Sequence, residues 1–393
     1  MTLSPEIARI VEAEIPRFSD GEMARRRAAM EALLIEHDCD HLIFCGLARF
    51  GSAVQWLTQW PVTAEAVGVF SPSARDALFV QWVNHAPQAS LVADKADVAW
   101  GGESGIKAAL AVLETRASAS ERIGYVGPLS AEQHVVLAAR FPNIANLNRA
   151  YVKLRQVKSA EEIAWLRIGA HFSDLGMAAL RDGLKPGLNE RELGDLVERA
   201  YISQGATNVI HYIGTTSMSA PDLGVPRQFP TTRRVQRGDV VVAEISAAFW
   251  DHPGQVLRSF ALGEPSQLYR ELHAAADAAF DAIAAVLKVG AAPSDVIEAS
   301  GVIEEAGFTI IDDLLHGYGG GYLPPVLGCQ SRPAGPVPED PFRDGQTVVI
   351  QPNVVTPDGK AGVQTGEMVV IRKDGIERLH AMPRGFVVLS PSS

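Results

Sequence analysis

The chain has 393 residues, of which 47 % are apolar and 21 % charged, and its formal net charge is −11 at pH 7. That length exceeds one ordinary domain and predicts two, with ample material for a core. The acidic balance, with no basic stripe against it, excludes a nucleic-acid polyanion as partner, because such binding is driven by clustered Lys and Arg.

The opening stretch, MTLSPEIARIVEAEIPRF, mixes charges into its apolar positions, which a signal peptide does not. No window reaches the roughly 20 apolar residues of a membrane span, so neither a membrane partner nor export is expected, and the chain reads as cytoplasmic. Cys39, Cys45 and Cys329 are odd in number and lack ligand spacing, which reads as reduced core thiols.

In chain order, Glu22 to Glu36 has helical periodicity, with Met23, Met30, Leu33 and Leu34 on one side. His41 to Phe44, Ala66 to Phe70 and Ala77 to Trp82 are short apolar runs bounded by Gly, Pro and Ser, hence strands. Between the first two lies LARFGSAVQWLTQWP, which concentrates Arg49, Phe50, Trp56 and Trp60; these either pack into the core or form a substrate-facing lip. Ile123 to Val126 and Ile144 to Leu147 complete an N-terminal α/β unit. Ser159, ahead of Glu161 and Glu162, is an N-cap signal for a long helix. The boundary falls there, giving domains at 1–156 and 157–393.

The second domain partly repeats itself. Lys185-Pro186-Gly187 precedes a helix, Glu190 to Ser203, ending at Gly205, and Lys288-Val289-Gly290 precedes another, Pro293 to Glu305, ending at Gly307. A further helix comes before each, the later one being Leu268 to Leu287. Two helix pairs leading into strands suggest a duplicated α+β half. Thr347 to Ile350, Gly366 to Ile371 and Gly385 to Leu389 read as strands of the shared sheet, and the glycines of HGYGGGYLPP permit unusual φ values near a ligand or simply form a turn.

Gly238 to Phe260 organises this domain as a hairpin. Its first arm is an apolar run, Val240 to Ala243, ending on Glu244. A lone carboxylate there is costly unless something uses or satisfies it. Desolvation is expected to raise its pKa toward neutrality, suiting a general base or nucleophile, unless Arg258 or Arg227 holds it in a buried ion pair.

His316 opens the glycine-rich stretch and is the better acid/base partner; His252, in the hairpin turn, is the weaker one. Tyr318, Tyr322, Gln255, Gln351 and Gln364 are candidate neutral hydrogen-bonding groups for a substrate, joined by Glu367. Arg227, Arg258 and Arg49 are candidates to grip a substrate carboxylate, and Phe50 and Trp60 to line the rim.

Taken together and in order, VKSAEEIAWLR, RRVQRGDVVVAEI, QVLRSF, HGYGGG, GQTVVIQP and GVQTGEMVVI resemble the creatinase/aminopeptidase P family over essentially the whole chain. The resemblance implies a creatinase-like α/β domain followed by a pita-bread domain, a duplicated α+β architecture. It also implies a homodimer in which one subunit's N-terminal domain closes the other's cleft. In the family's peptidases two Asp, one His and two Glu hold two metal ions. Carried over one at a time, these positions fall on Glu244, Gln255, Gly320, Gln351 and Gly366, with Glu367 after the last. The additional histidines fall on Leu327 and Arg227.

Gln is a poor ligand for a catalytic transition metal and Gly offers none, so this reading expects no metal, no other cofactor and no metallopeptidase activity. Among metal-free branches, creatinase's acid/base positions match Arg227 and Leu257, whereas ectoine hydrolase has a Glu matching Glu244 and a similar GY…PP pattern. The resulting expectation is a metal-independent hydrolase of a non-peptide C–N bond in a small amide, amidine or cyclic compound. Its substrate would be zwitterionic or carboxylated, with Glu244 as nucleophile or base. A lyase or isomerase using the same base, or a binding module on a degenerate peptidase scaffold, are the alternatives.

Overall fold

A computed structural model describes residues 3–47 and 52–389. The chain divides into two compact units, residues 12–155 and residues 1–11 with 156–393.

In the first unit a six-stranded sheet runs in the order Ala96–Trp100, Asp76–Val80, Ala66–Phe70, His41–Gly46, Ile123–Val126, Ile144–Asn146. Ala66–Phe70 is antiparallel to both its neighbours and the other pairings are parallel. Alternate side chains of a strand point to opposite faces. Accordingly, Leu42 and Phe44 enter one apolar cluster with Met30, Leu33 and Trp56, while Ile43 and Cys45 enter another with Ile106, Leu110 and Phe141. The expected helix is there, Asp20–Glu36, capped by the Ser19 side chain. Strand Ala96–Trp100 was not read from sequence; most of its residues are at least partly exposed, so it carries little apolar signal.

The second unit is built on a nine-stranded sheet whose main path is Tyr322–Leu327, Leu315–Tyr318, Thr347–Ile350, Gly366–Arg372, His252–Leu262, Asp239–Phe249, Thr207–Ser217. Gly375–Arg378 pairs with Gly366–Arg372, and Val387–Leu389 with His252–Leu262. The hairpin Asp239–Phe249/His252–Leu262 lies inside this order and every one of its residues is buried. Burial on both faces explains why Val240 to Ala243 is a continuous apolar run and not an alternating one. The strands at the two ends of this path were not read from sequence. Tyr322–Leu327 carries Pro324 and Pro325, which an edge strand tolerates because the missing N–H groups have no ladder partner on the open side. Thr207–Ser217, at the opposite edge, mixes polar residues into its length.

Helix Ala160–Gly183 begins at a reciprocal cap: Glu162 N–H donates to Ser159 Oγ and Ser159 N–H to Glu162 Oε2, both at 3.0 Å. It lies directly against the hairpin. A Cβ on Gly254 would sit 2.3 Å from the Ala170 backbone, and one on Gly169 would sit 2.2 Å from the His252 carbonyl oxygen. The Ala247 N–H donates to Ser173 Oγ at 2.8 Å, and that hydroxyl donates to the Gly254 carbonyl. One helical serine thus ties both hairpin strands.

Helix Gln267–Val286 packs through Tyr269, Leu272, Ala276 and Ile283 into a cluster with Val240, Val242, Val348 and Val369. The order-level repeat is present: Glu190–Arg199 with the 3-10 turn Ile202–Gln204, and Pro293–Ala299 with Val302–Glu305, each end near a glycine, Gly205 and Gly307, with φ of 88° and 82°.

Candidate functional site

Glu244 lies opposite Tyr212 on one neighbouring strand and Leu257 on the other. Gln255, across the hairpin and two pairs further along, donates its Nε2 to Glu244 Oε1 at 2.8 Å and to Gln351 Oε1 at 3.1 Å. Gln364 donates its Nε2 to Glu244 Oε2 at 3.3 Å. Gln364 is itself pinned: its N–H donates to Ser259 Oγ at 2.8 Å, and that hydroxyl donates back to the Gln364 carbonyl at 2.9 Å. Among the described residues the carboxyl therefore sits among neutral amides with no ion-pair partner. Burial, reinforced by the negative charge of Asp312 and Asp313, pushes its pKa up to about 8, against a small lowering by Gln364.

A second layer joins this group. Gln351 donates to the Asp313 carbonyl at 3.3 Å, and Asn353 donates its Nδ2 to Asp312 Oδ2 at 2.8 Å. Burial pushes Asp312 up to about 7, with the Asn353 bond opposing and the neighbouring Asp313 charge adding. His316 stacks on Tyr322, with ring centroids 4.2 Å apart, and meets Tyr318 edge-on. Burial lowers the His316 pKa, against the Asp313 charge and bonds to Gly317 and Gln351, so the ring is neutral at neutral pH. The exposed Tyr322 hydrogen-bonds the Asp313 side chain, and buried Tyr318 shares a 2.9 Å hydroxyl contact with Ser246. The three consecutive glycines 319–321, with φ of 116°, 72° and 107°, form the turn that closes Tyr318 onto Tyr322.

The structure thus gathers Glu244, Gln255, Gln351, Gln364, His316, Tyr318 and Tyr322, and separates others expected beside them. Arg258 is not a substrate grip. It is fully buried and all five of its N–H groups are used, on the carbonyls of Pro383, Leu257, Gly366 and Met382 and on Glu367 Oε2. Glu367 is equally committed, accepting from both Arg258 and Arg378. Neither side chain has anything left for a ligand, and the Arg258–Glu244 pair weighed from sequence is absent.

His252 pairs with Phe249 at the hairpin's end, five register positions from Glu244, about 17 Å at strand spacing. It is buried against Trp165, not solvated. Arg227 is half-buried and makes no ion pair among the described residues. Trp60 packs against the first unit's core, near His85. Arg49 and Phe50 lie outside the described residues. Asp312, Asp313, Asn353 and Ser246 were missed. A paired Asp-Asp directly before the apolar start of a buried strand was the available signal.

All three cysteines are buried and free, as read from their spacing. Among the described residues no helix is long and apolar enough to cross a membrane.

The model of metallopeptidase family M24 matches residues 164–373, more than half of the chain, and the chain belongs to that family. It is 25 % identical over 230 residues to the Xaa-Pro dipeptidase of Pyrococcus furiosus, an alignment covering 58 % of this chain and 63 % of that protein. Among solved structures, it is similar to the Xaa-Pro dipeptidase from Bacillus anthracis (TM-score 0.79, 18 % identity, 93 % of this chain and 100 % of that one). It is also similar to dipeptidase PepE from Mycobacterium ulcerans (TM-score 0.78, 20 % identity, 95 % and 99 %). These structural likenesses establish the two-domain pita-bread fold. The matches to curated relatives extend over less than two thirds of those proteins' length, 63 % for the archaeal dipeptidase.

These findings correct the functional expectation. The relatives are named as dipeptidases and the family is one of metallopeptidases, so a non-peptide C–N hydrolase standing outside the metallopeptidases is not what the chain's kinship supports. The family's metal ions can be tested against the side chains themselves. Around Glu244 the donors are three carboxamides, and among the described residues no group of three or more His, Cys, Asp and Glu is placed to hold a metal ion. The residues present do not fit a dinuclear centre, and no step below runs through one.

Proposed function

We propose that the chain acts on small peptides, cleaving the amide bond of a dipeptide-type substrate held beside Glu244. Kinship with proteins named Xaa-Pro dipeptidase supports the substrate class. The chemistry is supported by one observation: a buried carboxyl whose pKa is raised to about 8 and whose hydrogen bonds, among the described residues, come from neutral amides. Around neutral pH such a group is present in both protonation states, which suits proton transfer in both directions.

As carboxylate, Glu244 takes a proton from the water that attacks the substrate carbonyl. As acid, it returns that proton to the departing nitrogen, so the C–N bond breaks with neutral amine and free carboxyl as products. Gln255 and Gln364 fix the carboxyl's rotation. Neutral His316 is held in place by its stacking on Tyr322.

The test is a panel of Xaa-Pro and other dipeptides incubated with the full chain, as isolated and after addition of Mn2+ or Co2+, with free amino acid quantified. Release from at least one dipeptide is expected. Neither cleavage nor binding of any member, under both conditions, overturns the proposal.

A further inference from the structure

The carbonyl oxygen of an amide under attack gathers negative charge, and the barrier falls when a fixed hydrogen-bond donor waits where that charge develops. The side chains around Glu244 do not suit a dinuclear centre that would take the charge, which leaves the task to the protein's own donors. Ser246 and Tyr318 are bonded to each other at 2.9 Å and are at most 3 % exposed. The Tyr322 hydroxyl is bonded to Asp313. Tyr212 differs from all three: it is half-buried, and among the described residues its hydroxyl has no hydrogen-bond partner.

Strand Thr207–Ser217 sets Tyr212 directly opposite Glu244. Residues paired in this way project from the same face, with Cβ atoms about 4.5 to 5.5 Å apart. Ser246, two residues along the strand from Glu244, shares that face, and its partner Tyr318 feels Tyr212 as well. Burial raises the Tyr318 pKa, the Ser246 bond opposes, and the charges of Glu244, Asp251 and ionised Tyr212 add to the rise. The phenol of Tyr212 therefore lies over the stretch of strand between Glu244 and Ser246. The carboxamide nitrogens of Gln351 and Gln364 already face the Asp313 carbonyl and Glu244, and both residues are at most 4 % exposed. Tyr212 combines an unengaged O–H with access for a substrate.

We infer that Tyr212 is a catalytic residue whose O–H donates a hydrogen bond to the carbonyl oxygen of the scissile amide and tightens on it as that oxygen becomes anionic. This rests on the preceding reading of the cleft as one that cleaves small peptides, and adds the group that stabilises the tetrahedral intermediate. The water oxygen bonds to the carbonyl carbon, the C=O π pair moves onto the oxygen beside Tyr212, and Glu244 takes the water's proton. When that pair returns, the C–N bond breaks with its electrons on nitrogen, and the nitrogen takes the proton from Glu244. Tyr212 keeps its own proton throughout.

Tyr212→Phe removes a hydroxyl without a partner in the folded chain, so its melting temperature is expected to match the wild type. Its kcat on the best dipeptide is expected to fall about a hundredfold, the scale of a lost oxyanion donor, with little change in KM. A phosphinic dipeptide analogue, whose tetrahedral phosphorus carries an anionic oxygen, is expected to bind the variant about tenfold or more weakly than the wild type in calorimetric titration. An unchanged kcat, or an unchanged phosphinate affinity, overturns the inference and leaves the peptide reading standing. A melting temperature several degrees lower overturns it too, by showing that the hydroxyl has a structural partner. Phosphinate binding that weakens in the variant, with no dipeptide cleaved by the wild type, supports the oxyanion contact and overturns the peptide reading. Neither cleavage nor phosphinate binding by the wild type overturns both.

Discussion

Replacing Glu244 by Gln removes a titration and very little volume, which makes the pH dependence of stability a direct reading of this carboxyl. Its folded-state pKa is raised from an ordinary 4.5 to about 8. Raised acids contribute stability that is fully present below the unfolded value and lost as pH rises through the folded one. At about 1.4 kcal/mol per pH unit, the loss between those limits amounts to roughly 5 kcal/mol.

The Gln side chain can be accommodated, because Gln364 has an unpaired Oε1 that a rotation of its amide turns toward the new NH2. Glu244 is not among the groups that move Asp312, whose causes are burial, Asn353, Asp313 and Arg332 besides its own backbone. Subtracting the variant from the wild type therefore isolates Glu244 to first order. Urea denaturation of both proteins from pH 5 to pH 9 is the assay. The wild type is expected to lose about 4 kcal/mol relative to Glu244→Gln between pH 5 and pH 8, levelling above that. A difference that stays flat across this range means Glu244 is already charged near pH 5, and the proton-transfer argument fails with it.

Other consequences follow from the same contacts. Arg258→Met leaves Glu367 with Arg378 alone and strips the carbonyls of Pro383, Gly366 and Met382 of their donor; a loss of roughly 3 to 5 kcal/mol is expected in denaturant melts, and a variant of near wild-type stability would contradict its structural role. Gly254→Ala forces a methyl against the Ala170 backbone and is expected to cost about 2 to 3 kcal/mol and to lower turnover by displacing the Gln255 strand. His316, with its pKa lowered by burial, is expected to keep a neutral-imidazole NMR signature at pH values where an ordinary histidine is already protonated, and a midpoint above the ordinary 6.5 would refute its burial. Asp174, whose pKa is held low by His380 and the N–H groups of Ala381 and Met382 against the opposing effect of its burial, contributes stability above its ordinary value that is lost as pH falls. Asp174→Asn is therefore expected to flatten the acid limb of a melting-temperature profile, and an unchanged limb would speak against the pairing.

Glu244 was legible because a single acid at the end of an apolar run conflicts with its surroundings, and only burial inside the sheet produces such a run. Ser159 was legible through its cap signature, and the repeat through glycines whose positive φ recurs at matching places. Arg258 misled for a reason that spacing cannot reveal: its donors are taken by backbone carbonyls of segments over a hundred residues away, at Gly366 and Met382. His252 misled because two residues of turn look exposed in sequence, whereas helix Ala160–Gly183 crosses the hairpin there and buries it. The edge strand Tyr322–Leu327 was hidden by its prolines, whose tolerance depends on sheet position. Asp312 and Asp313 were hidden by their ordinary appearance as a polar turn. The reaction class was misjudged because the lost ligand positions were weighed above kinship with dipeptidases.

Steady-state cleavage of the best dipeptide by wild type and by Glu244→Gln, matched for folded fraction by melting curve, tests the central assignment most directly. The account predicts a fall in kcat of about a hundredfold or more, the scale of a lost general acid–base, with little change in KM. Equal kcat in the two proteins would contradict it and remove Glu244 from the chemistry.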